Sequence, residues 1–125
     1  MALIKRFEDI IAWQEARKLV KEIYAITREG VFGKDFGLRD QIQRAAVSIM
    51  ANIAEGFDCE SHVEFARFLG IARRSAVEVQ SLLYIALDTG YISEETFKDQ
   101  FAQAEKTKAL TGGLKKSLKP RLTSS

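Results

Sequence analysis

Apolar residues recur along this chain at spacings of three and four, the period of an amphipathic helix. Leu69, Ala72 and Ala76 are one example, and no segment alternates with the two-residue period of a strand. The glycine-rich segment GVFGKDFG at 30–37 is expected to be a loop. The pattern predicts four long helices, over residues 9–28, from about 37 to 56, from 61 to about 90, and from 93 to Pro120, which is expected to end the last helix.

Residues typical of helix ends support these limits. Asp9 is expected to cap the first helix through its carboxylate. Gly56 is expected to end the second helix in the left-handed conformation. Ser61 and Glu64 have the spacing of a capping box, and Ser93 is the expected cap of the fourth helix.

The second predicted helix contains QIQRAAVSIMANIAEG (41–56), which is apolar around most of its circumference. A first apolar arc is expected to face the protein core: Ile42, Ala45, Ala46, Ile49 and Ile53. One narrow polar stripe is expected to have a structural role: Gln41, Arg44, Ser48, Asn52 and Glu55. Because an unpaired buried charge is unfavourable, Arg44 and Glu55 are expected to pair with charges on neighbouring helices or subunits.

A second apolar arc on the same helix lies away from the first and is expected to form a subunit interface: Val47, Met50, Ala51 and Ala54. A four-helix unit of this size covers one face of each helix, so the second arc needs another partner. The alternative is that single apolar groups and alanines are simply exposed, as they often are. Self-association is the preferred interpretation.

Four long helices with short connections predict an all-α, up-down-up-down antiparallel four-helix bundle. The 125 residues fit one domain, over residues 1–119, followed by a short C-terminal tail at 120–125. A single cysteine, Cys59, excludes an internal disulfide. No signal peptide is recognised and no apolar run reaches the ~20 residues of a membrane span. The expected location is therefore the cytoplasm, without membrane contact.

Charge is distributed unevenly along the chain. Residues 106–125 contain six bases and no acid, whereas the other 105 residues contain 13 bases and 17 acids. Clustered bases favour phosphate binding that depends on salt and not on base sequence. Arg67, Arg73 and Arg74 of the third helix are expected to extend the basic region. The C-terminal candidates for contact with RNA or DNA are Lys106, Lys108, Lys115, Lys116, Lys119 and Arg121.

Residues for catalysis or for a cofactor are few. His62 is the only histidine, and it follows Cys59 and Glu60 closely. A Cys–His nucleophile pair is conceivable there, but polar residues in the first turn of a helix are usually solvated. There is no phosphate-binding loop and no paired Glu-x-x-His motif. No enzyme activity, metal or cofactor is expected. A helix-turn-helix at ANIAEGFDCESHVEFARFLG (51–70) is disfavoured, because both of its helices are too long for that compact motif.

Two central segments, QIQRAAVSIMANIAEGFDCES (41–61) and EFARFLGIARRSAVEVQSLL (64–83), resemble the bacterial four-helix bundle proteins encoded in 23S rRNA intervening sequences. The resemblance covers roughly residues 7–105 and includes FEDIIAWQEARKLVKEIY, FGLRDQ and ALDTGYIS. Met50-Ala51 departs from the proline and serine that are usual in relatives.

The family resembled includes the accessory variability determinant of diversity-generating retroelements. That protein forms a pentameric barrel that binds nucleic acid and a reverse transcriptase. The resemblance therefore implies a ring-like homo-oligomer, most simply a pentamer, that binds nucleic acid and has no enzyme activity. The partners expected are further copies of the chain, RNA or DNA, and a protein such as a reverse transcriptase. The alternative is a protein-interaction scaffold without a nucleic-acid role.

Overall fold

A computed structural model describes the backbone of residues 4–123 and the side chains of residues 4–118. None of the helices in this part of the chain is both long enough and apolar enough to cross a membrane. The elements are a 3₁₀ turn at Phe7–Asp9 and five helices: α1 at Ile11–Arg28, α2 at Gly30–Lys34, α3 at Phe36–Asp58, α4 at His62–Asp88 and α5 at Glu94–Thr123.

The four long helices pack in the cyclic order α1, α3, α4, α5, so that each contacts two neighbours. Neighbouring helices are antiparallel, as contacts between distant residues show. Along α3 and α4, Gln41 reaches Glu78 and Ser48 reaches Ser75. The predicted all-α class with four long helices is confirmed.

The core runs along the centre of the bundle. Its largest fully buried side chains include Leu19, Ile23, Phe32, Leu69 and Leu83. The first apolar arc of α3 lies in this core as predicted, since Ile42, Ala45, Ala46, Ile49 and Ile53 are at most 4% exposed. Burial of each isoleucine contributes about 1.5–3 kcal/mol.

Two predictions near the start of the chain are wrong. The Asp9 carboxylate accepts hydrogen bonds from the backbone amides of Lys5 and Arg6, so it closes the 3₁₀ turn and does not cap α1. The segment at 30–37 is not a loop, because Gly30–Lys34 is a short helix. The carboxylate of Asp35 then caps α3 by accepting from the amide of Leu38 at 3.1 Å.

Gly56 does not end its helix. The helix α3 continues to Asp58, and Gly56 is buried without a positive φ. A Cβ built at Gly56 would lie 2.6 Å from Cβ of Phe68, so glycine is required there by the close approach of α3 and α4. The left-handed conformation is taken instead by Gly30, at the start of α2, and by Gly90, after α4, with φ of 61° and 79°.

The predicted cap residues of α4 and α5 are confirmed: Ser61 accepts from the Glu64 amide at 3.0 Å and Ser93 from the Thr96 amide at 3.1 Å. The capping box at Ser61 is only half formed, because the carboxylate of Glu64 pairs with Arg67 at 3.0 Å and does not accept from the Ser61 amide. The expected stop at Pro120 is wrong, because α5 continues to Thr123 across the expected boundary between residues 119 and 120.

Candidate nucleic-acid interface

The predicted basic residues lie on α4 and on the C-terminal half of α5, but not all of them are available to a ligand. Lys106 pairs with Glu15 of α1 at 3.4 Å, and Lys108 pairs with Glu105 at 3.0 Å. Arg67 pairs with Glu64 and lies 4.7 Å from the centre of the Phe68 ring. Lys116 is exposed. The side chains of Lys119 and Arg121 lie outside the described residues.

Three of the predicted cations come together where α4 packs on α5. A Cβ built at Gly70 would lie 3.1 Å from Nζ of Lys115 and 3.7 Å from Nη1 of Arg74. One turn further along α4, Nε of Arg73 lies 3.4 Å from a Cβ built at Gly112 of α5. We call the group formed by Gly70, Arg73, Arg74, Gly112 and Lys115 the cation notch.

The two glycines of the notch are unfavourable for helix stability, since glycine inside a helix costs about 1 kcal/mol relative to alanine. Neither has a positive φ, so the backbone conformation does not require glycine at Gly70 or Gly112. At both positions the atom nearest to a Cβ would belong to a cationic side chain: Nζ of Lys115 at 3.1 Å from Gly70, and Nε of Arg73 at 3.4 Å from Gly112. The first distance is shorter than an ordinary contact, so the absence of a side chain at Gly70 makes room for the end of Lys115, whereas a Cβ at Gly112 would be in ordinary contact with Arg73.

Within residues 4–118, Arg73, Arg74 and Lys115 form no ion pair with a carboxylate. The positive charge of Arg73 does act on Glu105. A hydrogen bond from Gln80 is the main cause that lowers the pKa of Glu105, followed by a hydrogen bond from Lys108. Gln80 and Lys108 both contact Oε1 of this carboxylate, and Arg73 forms no ion pair with it among the described side chains.

Two of the five residues in the polar stripe of α3 form hydrogen bonds with α4. Ser48 shares a hydrogen bond of 2.9 Å with Ser75, and the amide of Asn52 donates to the hydroxyl of Ser48 at 3.0 Å. Gln41 donates to Glu78 at 3.5 Å. Arg44 and Glu55 are exposed and have no ion-pair partner among the side chains of residues 4–118. An open groove of ≈ 650 Å³ lies beside Arg44, between α3 and α4.

The second apolar arc of α3 is partly covered by its own chain. Met50 is half-buried and packs against the core, and Ala51 and Ala54 are also half-buried. Val47 is 38% exposed and lines a shallow groove with Tyr24, which is 39% exposed. Val47 is thus the residue of this arc most accessible to another subunit.

In the cysteine–histidine region, Cys59 is half-buried and its thiol donates to the carbonyl of Glu55 at 3.5 Å. Across the described residues, no group of three or more His, Cys, Asp or Glu side chains is arranged to hold a metal ion.

Sequence reasoning missed two features of this bundle. Tyr91 donates to Asp35 at 2.8 Å and links the α4–α5 connection to the start of α3. This bond spans 56 residues, and no local pattern indicates it. The notch glycines did carry a signal, because Gly70 and Gly112 both lie inside predicted helices, where glycine is disfavoured.

The family of 23S rRNA-intervening sequence proteins matches residues 8–113 of this chain. The chain belongs to this family. The match includes the three predicted arginines of α4 and ends two residues before Lys115. The α4 residues of the cation notch and Gly112 thus lie within the matched region, whereas Lys115 lies just beyond its end.

A similar fold is found in a crystal structure of a protein of unknown function from the S23 ribosomal protein family of Bacteroides thetaiotaomicron VPI-5482. The two proteins share 25% sequence identity, with a TM-score of 0.78 over 85% of this chain and 99% of that chain. No curated protein sequence matches the chain. The comparisons therefore support the family and the bundle.

Proposed function

We propose that this protein is a non-catalytic, nucleic-acid-binding accessory protein. Its contact surface is the outer face of α4 together with the C-terminal half of α5. One observation carries the proposal: Arg73, Arg74 and Lys115, from two helices, lie together without an ion-pair partner among the described side chains. Cations without an ion-pair partner among these side chains are available to the phosphates of RNA or DNA.

The distribution of charge supports a directional electrostatic surface. The other residues of the chain carry more acids than bases, whereas residues 106–125 carry bases alone. A polyanion is therefore attracted to one end of the bundle and repelled elsewhere. This arrangement fits backbone recognition without base-specific contacts, for which affinity depends steeply on salt.

The test is a titration of labelled single-stranded RNA and DNA at about 50 and 200 mM salt. The variant Arg73→Gln/Arg74→Gln/Lys115→Gln is compared with the wild type. On a single strand each phosphate contact contributes about 0.7 to the slope of log affinity against log salt. The triple variant should have a smaller slope than the wild type, by about 0.7 for each phosphate that these cations no longer neutralise.

A control with the same change in net charge is Lys21→Gln/Arg28→Gln/Lys34→Gln. These three residues are exposed on α1 and α2, and α1 lies diagonally across the bundle from α4. The control should retain the affinity and slope of the wild type. Equal losses in both triple variants, or no binding by the wild type at low salt, would contradict the proposal.

We also propose that the protein works as a homo-oligomer, with a pentamer as the form implied by the family resemblance. The exposed side chains of Val47 and Tyr24, with the neighbouring groove at Arg44, are the surface of α3 that another subunit would cover. Assembly would bring several cation notches into one particle and increase avidity for a long polyanion.

Light scattering after gel filtration tests this assembly. The mass should be several times the 14.1 kDa of one chain, and Val47→Glu should lower it. Val31→Glu is the matched control, because Val31 is 67% exposed on α2. A charge at Met50 would be less informative, since Met50 also packs against the core of its own chain. A monomeric wild type would overturn the assembly proposal.

A protein-interaction scaffold is the second candidate function. It is favoured by apolar side chains on the outward side of α4, where Val77 is 44%, Tyr84 51% and Ile85 46% exposed. A partner protein, such as the reverse transcriptase implied by the resemblance, would cover this patch. In that case the Tyr84→Ser variant would lose its protein partner, and the wild type would show no salt-dependent binding of nucleic acid.

A further inference from the structure

We infer that the cation notch binds one phosphate group, held between Lys115 of α5 and Arg74 of α4 with Arg73 one turn away. The inference deepens the proposed function by assigning a discrete site within the basic face. The same phosphate chemistry is offered by the backbone of a nucleic acid and by a free phosphate. The experiment below therefore has an arm for each source.

The positions of the charged atoms are the first argument. Nζ of Lys115 and Nη1 of Arg74 lie 3.1 and 3.7 Å from the same point above Gly70, so they are at most about 7 Å apart. Charge-assisted hydrogen bonds to phosphate oxygens are about 2.8 Å long. Two such bonds, to two oxygens of one phosphate, would bridge this distance. The guanidinium of Arg74 also offers the forked donor geometry that suits phosphate.

The local packing is the second argument. A side chain at Gly70 would meet the Lys115 ammonium, and a side chain at Gly112 would meet the Arg73 guanidinium. Gly113, the next residue along α5, has nothing within 4 Å of its Cβ position and is exposed. Gly70 therefore leaves room for the Lys115 ammonium and Gly112 lies against the Arg73 guanidinium, whereas Gly113 has no such neighbour.

The accessibility and charge of the surroundings are the third argument. Arg73 and Arg74 are exposed and Lys115 is half-buried, so a ligand reaches the notch from solvent. The acid that Arg73 affects, Glu105, is held by Gln80 at 2.9 Å and by Lys108 at 3.0 Å. A phosphate at the notch would supply the negative charge that these three cations lack among the described side chains.

The experiment compares two variants of the full chain, Gly70→Leu and Gly113→Leu, neither of which changes the net charge. One arm measures affinity for a labelled single-stranded DNA of about 16 nucleotides. The other arm measures the rise in Tm when inorganic phosphate replaces chloride at constant ionic strength. Gly70→Leu should weaken DNA binding about tenfold, as expected for one lost charge-assisted contact, and should remove the phosphate effect. Gly113→Leu should change neither.

The outcomes distinguish the notch inference from the proposed function, and a nucleic-acid phosphate from a free phosphate. A loss in the DNA arm assigns the notch to a backbone phosphate, and a loss in the inorganic phosphate arm alone assigns it to a free phosphate. If the wild type binds no DNA, the proposed function fails while the phosphate arm still decides the notch. Identical behaviour of Gly70→Leu and the wild type in both arms would overturn the inference.

A second pair of variants covers the case in which Gly70→Leu fails to fold. Lys115→Gln removes a notch cation, and Lys116→Gln removes the adjacent, exposed cation of the same helix. Only the first should lose the phosphate-dependent rise in Tm. Equal effects of the two variants would mean that general charge and not the notch binds phosphate.

Discussion

Helix α4 has two neighbours with which it forms extensive contacts, and glycine has a different purpose in each contact. Towards α3, Gly56 lets the two helices approach so closely that its Cβ position is 2.6 Å from Cβ of Phe68. Towards α5, Gly70 and Gly112 face the ends of long cationic side chains. In the first contact glycine allows two helices to pack closely, and in the second it lies against the end of a charged side chain.

The polar bonds of the two contacts differ in the same way. On the α3 side, Ser48 and Ser75 share a bond between two hydroxyls, which do not titrate in the physiological range. On the α5 side, Gln80 donates to the carboxylate of Glu105, beside Lys108. The comparison teaches that, where a mid-helix glycine has a close neighbour, the chemistry of that neighbour decides between a structural and a binding role.

The largest effect on stability is expected from Gly56→Ala. The added methyl group would overlap with Phe68 near the backbone, where rotation of the ring gives no relief. We expect a loss of about 1–3 kcal/mol in the free energy of unfolding, although alanine favours a helix. Urea unfolding measures this loss, and an unchanged or higher midpoint would show that the α3–α4 contact has spare room.

A slightly smaller effect is expected where the α4–α5 connection is tied to α3. Asp35→Ala removes both the cap on the Leu38 amide and the bond from Tyr91, so we expect a loss of about 1–2 kcal/mol. Tyr91→Phe removes only the second bond and should cost about 1 kcal/mol. Equal losses in thermal or urea unfolding would mean that the cap contributes nothing.

Helix existence and the central core followed from sequence because both depend on local periodicity. The spacing of Ile42, Ile49 and Ile53 defines one face, and any four-helix packing of this chain must bury that face. Helix ends were less predictable. Gly56 resembled a helix terminator because glycine suits both a left-handed end and a close contact, and only the position of Phe68 distinguishes the two.

The candidate site could be predicted only in part. Sequence identified Arg73, Arg74 and Lys115 as basic, but it also included Lys106 and Lys108, which carboxylates occupy. The pairing of Lys106 with Glu15 depends on α5 lying against α1, which local periodicity does not specify. Charge along the chain therefore overestimates the binding surface, because each cation's partner depends on tertiary contacts.

A gain in stability is expected from glycines that have no packing role. Gly113→Ala adds a methyl group with nothing within 4 Å, so helix propensity alone should stabilise the protein by up to about 1 kcal/mol. Gly70→Ala should gain less, because its methyl group displaces the Lys115 ammonium by a few tenths of an ångström. Thermal unfolding ranks the variants, and a destabilised Gly113→Ala would contradict the open surroundings of that residue.

The smallest expected effect is a difference in pH dependence between the two contacts of α4. The hydrogen bond from Gln80 is the main cause that lowers the pKa of Glu105 from its ordinary value of 4.5. A carboxyl group with a lowered folded-state pKa stabilises the protein above its unfolded pKa, and this contribution is lost as the pH falls through the folded pKa. Gln80→Met should therefore destabilise the protein most at neutral pH, and its difference in free energy of unfolding from the wild type should narrow on acidification below pH 4.5.

Ser75→Ala is the control. The bond of Ser75 to Ser48 involves no titrating group, so the cost of this variant in free energy of unfolding should stay constant over the same pH range. A constant cost for Gln80→Met, measured by urea unfolding at several pH values, would mean that the Gln80–Glu105 bond does not depend on the carboxylate charge.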